Sequence, residues 1–179
     1  MKKLVFAIMM CVTAMGANAQ VLTSETVNNV YENVTNQTDG DFAFNAEMTG
    51  KDITTMYVYK KNNNRKGMTL LKPYMKYDYT YAADGTLTSR VAYRWNEGNW
   101  AYAARYDYNL DGGKYTAEYS LFNSVANRFD EPLEKMVYTM MPDDSVNYVS
   151  CYHRNNYSSR YQLVSTAEVT GLPLLFAEK

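Results

Sequence analysis

The chain has 179 residues, 46% hydrophobic, 15% aromatic and 21% charged, with a formal net charge of −1 at pH 7. That length suits a single domain able to bury about two-thirds of its unfolded surface, and so weak a charge argues against nucleic acid as a partner. Two cysteines and one histidine also leave little from which to build a disulfide framework or a thiolate–imidazole metal centre.

The chain opens with Lys2 and Lys3, an apolar run from Leu4 to Gly16, and Ala17-Asn18-Ala19 as an A-x-A cleavage site. This pattern predicts a secretory signal peptide over residues 1–19, too short for a membrane span, with Gln20 as the new N-terminus. Met9-Met10 occupy the place where a lipoprotein signal needs small residues before Cys11. Cleavage takes away 19 residues, two lysines and Cys11, so the mature chain has 160 residues, a charge of −3 and one cysteine, Cys151. An intrachain disulfide is then impossible and the core must hold the fold unaided. The expected location is secreted or periplasmic.

Residues 20–40 are expected to form an N-terminal tail or a short helix, since Val27, Val30, Tyr31 and Val34 recur at helical spacing. Asn33-Val34-Thr35, Asn36-Gln37-Thr38 and Asn156-Tyr157-Ser158 fit the N-glycosylation pattern, which acts only in a eukaryotic secretory pathway.

From 41 to 170 the chain reads as an all-β, antiparallel up-and-down meander, followed by a C-terminal tail over 171–179. All 18 tyrosines lie in the mature part, and Tyr and Thr enrichment marks strands. Nine strands are predicted: 41–48, 53–60, 68–82, 86–95, 99–110, 114–123, 129–141, 145–154 and 159–169. Alternation supports them. Leu71, Pro73, Met75, Tyr77, Tyr79 and Tyr81 oppose Lys72, Lys76, Asp78 and Thr80. Leu87, Ser89, Val91, Tyr93 and Trp95 oppose Arg90 and Arg94, while Trp100, Tyr102, Ala104, Tyr106, Tyr108 and Leu110 oppose Arg105 and Asp107. Period two gives one apolar and one wet face. Pro73 lacks a ladder donor and is expected at a bulge or an unpaired position. Turns are expected at Thr49-Gly50-Lys51-Asp52, Ala83-Asp84-Gly85, Asn96-Glu97-Gly98-Asn99, Asp111-Gly112-Gly113, Pro142-Asp143-Asp144 and Asn155-Asn156.

The strands recur as tandem hairpin repeats. Lys76-Tyr77-Asp78-Tyr79 returns as Arg105-Tyr106-Asp107-Tyr108 after 29 residues and as Lys135-Met136-Val137-Tyr138 after a further 30. Such periodicity means one supersecondary unit copied in series. The extra residue falls between Phe129 and Lys135, where a bulge would restore the phase. An apolar face needs covering, so a curled sheet, a sandwich and a barrel are the available closures.

Tyr79-Thr80-Tyr81-Ala82-Ala83-Asp84-Gly85-Thr86-Leu87 resembles the Tyr-Asp repeat of Rhs-type secreted proteins, with Ala82 where that repeat has Asp. Across roughly residues 50–165, the tyrosine-rich strands with W-N and D-G turns resemble more closely a secreted Bacteroidetes family, the domain of unknown function 3836. The resemblance implies an exported β-meander and brings no catalytic residue with it.

Chemistry-bearing residues are few. Cys151 and His153 share a strand face but offer only two ligands, and no further His or Cys completes a zinc site. Asp84, Asp111, Asp143 and Asp144 fall in turns, where carboxylates cap backbone N–H groups. There is no phosphate loop, G-x-S-x-G or HExxH. Neither an enzyme, nor a cofactor, nor a metal site is expected.

Meander topology sends successive turns to opposite ends of the sheet. One end collects Asp52, Asp84, Asp111, Asp143 and Asp144; the other collects Lys60 to Lys66, Asn96, Asn99, Arg128, Arg154, Asn155 and Asn156, with Trp95 and Trp100. At that second end Trp95, Asn96, Asn99, Trp100, Arg154 and Asn156 form the candidate ligand-binding set, because aromatic faces beside Asn and Arg donors suit glycan or peptide recognition. The competing account makes the two tryptophans a cross-strand clasp. Ser145, in Asp144-Ser145-Val146, resembles the acceptor for O-glycosylation in exported Bacteroidetes proteins. The expected function is an exported non-catalytic binding or interaction module for a glycan, a peptide or a cell-surface protein. A small outer-membrane barrel and a self-assembling scaffold are the alternatives.

Overall fold

A computed structural model of the chain describes residues 21–36, 40–63, 68–111, 114–140, 146–155 and 160–168. The predicted signal peptide 1–19, the tail 171–179, Ser145 and Asn156 lie outside the described residues.

Helix α1 (Ser24–Thr35) starts where a capping box can form: the Thr23 hydroxyl accepts from the Thr26 N–H, and the Thr26 hydroxyl accepts from the Thr23 N–H. Its Val27, Val30 and Val34 are buried along one face. The strands follow in order: β1 (Phe42–Thr49), β2 (Asp52–Asn63), β3 (Thr69–Tyr81), β4 (Leu87–Asn96), β5 (Asn99–Asp111), β6 (Lys114–Asn123), β7 (Arg128–Phe129), β8 (Glu134–Met140), β9 (Val146–Arg154) and β10 (Tyr161–Glu168). Each pairs antiparallel with its neighbours in sequence, except that both β7 and β8 pair with β6. β1 and β10 are the two edges of this one sheet, so the closed barrel among the expected closures is not formed. Instead the sheet curls. Buried residues from β2 (Ile53, Met56, Val58) join Tyr138 of β8 and Val149 of β9 in a single core cluster, with Leu22 and Val27 added from the N-terminal segment.

That N-terminal segment is tied to the β3–β4 turn. Leu87 N–H donates to Leu22 C=O at 2.8 Å and Ser24 N–H to Gly85 C=O at 2.9 Å. Gly85 has φ +84 and a Cβ there would meet Ser24 Oγ at 3.5 Å, so the turn needs glycine for its conformation more than for space.

Two expectations are corrected. The predicted strand 129–141 is two strands, β7 and β8, separated by Asp130–Leu133. Pro132 has no N–H for the ladder, while Asp130 and Leu133 donate to Leu121 and Tyr119 carbonyls at 2.9 Å. The second correction concerns the faces. Met56, Tyr77, Ala92 and Ala104 face one another across β2 to β5 and are all buried. The inner face of β4 is therefore Arg90, Ala92 and Arg94, and Val91, Tyr93 and Trp95 lie on the outer face.

Bulges cause the reversal. The register passes over Thr54, Tyr74, Thr88, Ala103, Asn147 and Val164, one in each of six strand pairs. Each passed-over residue moves the following side chains to the opposite face. In β4, Leu87 points inward, and beyond Thr88 the odd positions point outward. In β5, Trp100 and Tyr102 are outward, and beyond Ala103 the inward set is Ala104, Tyr106 and Tyr108. Pro73 sits beside the Tyr74 bulge, as a proline without a donor should. Tyr74 and Ala103 are 29 residues apart, and Thr88 and Asn147 are 59 apart, the same shifts that relate the repeated strand sequences.

Candidate functional site

The inner face is a packed tyrosine core around one arginine. Arg90 is 9% exposed. Its guanidinium lies 4.2 Å from the Tyr106 ring centroid and 5.3 Å from that of Tyr77. Tyr108 stacks on Tyr115 at 6.0 Å, and Tyr115 meets Tyr138 at 5.7 Å. Burial pushes the Tyr77 phenol up to about 12 and raises Tyr79, Tyr108, Tyr115 and Tyr138 as well, because an anionic phenolate there would lose its water. Buried side chains from β2 to β9 pack together on this face, with α1 against β1 and β2.

The outer face differs. The β4–β5 hairpin turns on Glu97 (φ 44) and Gly98 (φ 98), two left-handed residues as a type I′ turn requires. Asn96 faces Asn99 and Trp95 faces Trp100 across it. The Trp95 and Trp100 rings meet edge to face at 4.9 Å, and Trp100 reaches Tyr57 of β2 at 6.0 Å. Tyr57 continues to Tyr59 at 6.5 Å. A second row crosses the same face: Tyr93 to Tyr102 at 4.8 Å, then Tyr102 to Phe122 of β6 at 5.0 Å and to Phe129 of β7 at 5.6 Å. Tyr102 remains 49% exposed.

Charges are interleaved with these rings. Lys76 Nζ lies 3.9 Å above the Tyr93 ring and 2.9 Å from Asp78 Oδ2. Arg105 lies 4.9 Å from the Phe129 ring centroid, with Nε 2.7 Å from Asp107 Oδ2. Lys135 Nζ is 3.1 Å from Glu118 Oε1. Tyr57 Oη donates to Glu47 Oε1 at 2.8 Å, and this acceptor, with burial, pushes the phenol up to about 12. The Thr55 hydroxyl donates to Asp78 Oδ1 at 3.0 Å.

Of the sequence-predicted set, Trp95, Asn96, Asn99 and Trp100 come together at this hairpin. Arg154 does not join them: its guanidinium pairs with Glu131 and its N–H donates to Leu133 C=O at 2.8 Å. Asn156 lies outside the described residues. Alternation alone groups Tyr93 with Trp95 and Tyr102 with Trp100 but reads their face as the buried one, and it does not bring in Tyr57 or Phe122. The signal for Tyr102 is Ala103-Ala104, adjacent small residues where a strict alternation has one large side chain; one is the bulge and the other lies in the core.

Cys151 is a free thiol opposite Met136, and His153 Nδ1 lies 3.9 Å from Glu134 Oε1. Among the described residues no group of three or more His, Cys, Asp or Glu could hold a metal ion.

The model of a family of unknown function, DUF3836, matches residues 1–140. The chain belongs to this family. Within it, the DUF3836 protein of Bacteroides vulgatus has a solved structure that is similar at 23% identity and TM-score 0.50, covering 55% of this chain and 98% of that one. The chain is also similar to a protein with unknown function from Bacteroides fragilis, at 24% identity and TM-score 0.64, covering 75% of this chain and 96% of that one. At these identities the solved structures share the fold. No curated protein sequence matches the chain.

Proposed function

We propose that this DUF3836 protein is an exported, non-catalytic binding module whose outer sheet face takes a glycan or a peptide. One observation carries the reading. Two rows of aromatic rings stand on the outer face, partly exposed, while α1 and the tyrosine core occupy the inner one. Rings left on a wet sheet face cost solubility and are expected where a partner covers them. The site comprises Trp95, Trp100, Tyr57 and Tyr102, with Asn96 and Asn99 at its rim; Arg154, held by Glu131, is peripheral to it.

The non-catalytic part rests on the same face. Asp78, Asp107 and Glu118 are held by Lys76, Arg105 and Lys135, and Glu47 accepts from Tyr57, so none of these four stands as a free acid–base pair. The periplasmic or secreted location rests on the sequence of residues 1–19. The test is a screen of residues 20–179 on glycan and peptide arrays, followed by Trp100→Ala and Tyr102→Ala. Loss of captured ligand in both variants, with circular dichroism unchanged, supports the face as the site. Retention in both sinks it, and an empty screen leaves a scaffold role as the better account.

A further inference from the structure

We infer that the ligand of the outer face is an uncharged, elongated glycan lying across the strands; this deepens the reading above and rests on it. Charge decides first. The cations interleaved with the rings each have a carboxylate of their own: Lys76 has Asp78 at 2.9 Å, Arg105 has Asp107 at 2.7 Å and Lys135 has Glu118 at 3.1 Å. All three also lie over rings, Lys76 over Tyr93, Arg105 over Phe129 and Lys135 over Tyr161. An acidic polysaccharide or a phosphate-bearing surface would need cations free to neutralise it, and the three that stand among the rings are already paired.

The type of side chain decides next. A docking surface for an apolar helix or a second protein core is rich in pliable Leu, Ile and Met. Here the rings are Trp95, Trp100, Tyr57, Tyr59 and Tyr102, rigid plates that offer flat faces and polar edges. Asp78 and Asp107 stand among them as acceptors, and their remaining lone pairs suit the many O–H donors of a sugar. Tyr93 has Lys76 over its ring and packs against Tyr102.

Direction comes from the topology. The rings line up across β2, β4, β5 and β6, at Tyr57, Tyr93, Tyr102 and Phe122, nearly perpendicular to the strands. Four strand-to-strand steps from β2 to β6 span about 19 Å, room for roughly four pyranose rings in extended chain. A monosaccharide would touch one ring; a longer oligomer gains contacts until the row is used up.

Calorimetric titration of residues 20–179 tests this with three probes: neutral linear glucose and mannose oligomers of graded length, polygalacturonate oligomers as the acidic control, and a tyrosine-rich peptide. Neutral oligomers are expected to bind, with affinity rising until about four residues and then levelling, and without change between low and high salt. Tyr102→Ala should weaken binding roughly tenfold or more, and Tyr102→Phe should retain most of it. Tighter, salt-sensitive binding of polygalacturonate overturns the inference but leaves the face as a binding site. So does a preference for the peptide, or affinity independent of length. Binding of any probe that ignores both Tyr102→Ala and Trp100→Ala overturns the inference and the site together, as does the failure of every probe to bind.

Discussion

Tyr57 and Trp100 bring their ring centroids to 6.0 Å although β3 and β4 separate their strands. Three strand-to-strand steps amount to about 14 Å between backbones. The two side chains therefore reach toward one another across the intervening strands. Trp100 is held from both sides, by Trp95 at 4.9 Å and by Tyr57.

Trp100→Ala should accordingly cost about 2 kcal/mol of stability, since it deletes two ring contacts worth roughly 0.5–1.5 kcal/mol each. Tyr57→Ala, which loses the Trp100 and Tyr59 contacts and the hydrogen bond to Glu47, should cost a similar amount. A double-mutant cycle over the two, read by urea unfolding, should return a coupling of about 0.5–1 kcal/mol. Strict additivity would mean that the rings do not touch in solution.

Tyr102 and Tyr108 occupy the same phase of an unbroken alternation, yet Tyr102 is 49% exposed and Tyr108 7%. Tyr108→Asp should cost more than about 4 kcal/mol by placing a carboxylate in the core, whereas Tyr102→Asp, which loses ring contacts on the outer face but buries no charge, should cost about 2 kcal/mol. Similar melting temperatures for the two variants would refute the Ala103 bulge.

This pair also shows what sequence can and cannot disclose. The meander, its strand ends and the helix at Val27, Val30 and Val34 are legible because turn chemistry and periodicity act over a few residues. Face assignment is another matter. A single passed-over residue reverses it, and Ala103 or Thr88 is compatible with either register. So the juxtaposition of Trp95 with Trp100 and of Asn96 with Asn99 across the hairpin is legible. The approach of Tyr57 and Phe122 depends on pairing between strands, which period two cannot reveal. Arg154 lies at the expected end of the sheet, but its partner, Glu131, comes from a connection that the sequence reads as strand.

Alkali should unfold this protein cooperatively. Tyr77 is raised by burial to about 12, and Tyr79, Tyr108, Tyr115 and Tyr138 are raised by the same cause. A phenol whose folded pKa exceeds its unfolded value of about 10 contributes stability that is complete below pH 10 and falls away as pH rises further. Tyr77 alone accounts for about 2 kcal/mol of that loss by pH 12. Tyrosinate absorbance near 295 nm should therefore appear together with the loss of β-sheet ellipticity. A gradual titration with the fold intact would show that these phenols are wet.

Arg90→Lys should destabilise by about 1–2 kcal/mol, because an ammonium cannot lie flat on both Tyr106 and Tyr77 as the guanidinium does. The guanidinium-chloride midpoint of the variant measures this. An unchanged midpoint would assign Arg90 to simple space filling.

Nearly every ladder in this sheet joins strands that follow each other along the chain, and the principal exception to hairpin locality is the link from Leu22 and Ser24 to Leu87 and Gly85. For a β protein this is an unusually short-range wiring. Loop-closure entropy, which slows Greek-key sandwiches, is small at each step here. The molecule should fold hairpin upon hairpin, faster than a sandwich of equal length. The helix strap would lock last and set the unfolding rate more than the folding rate.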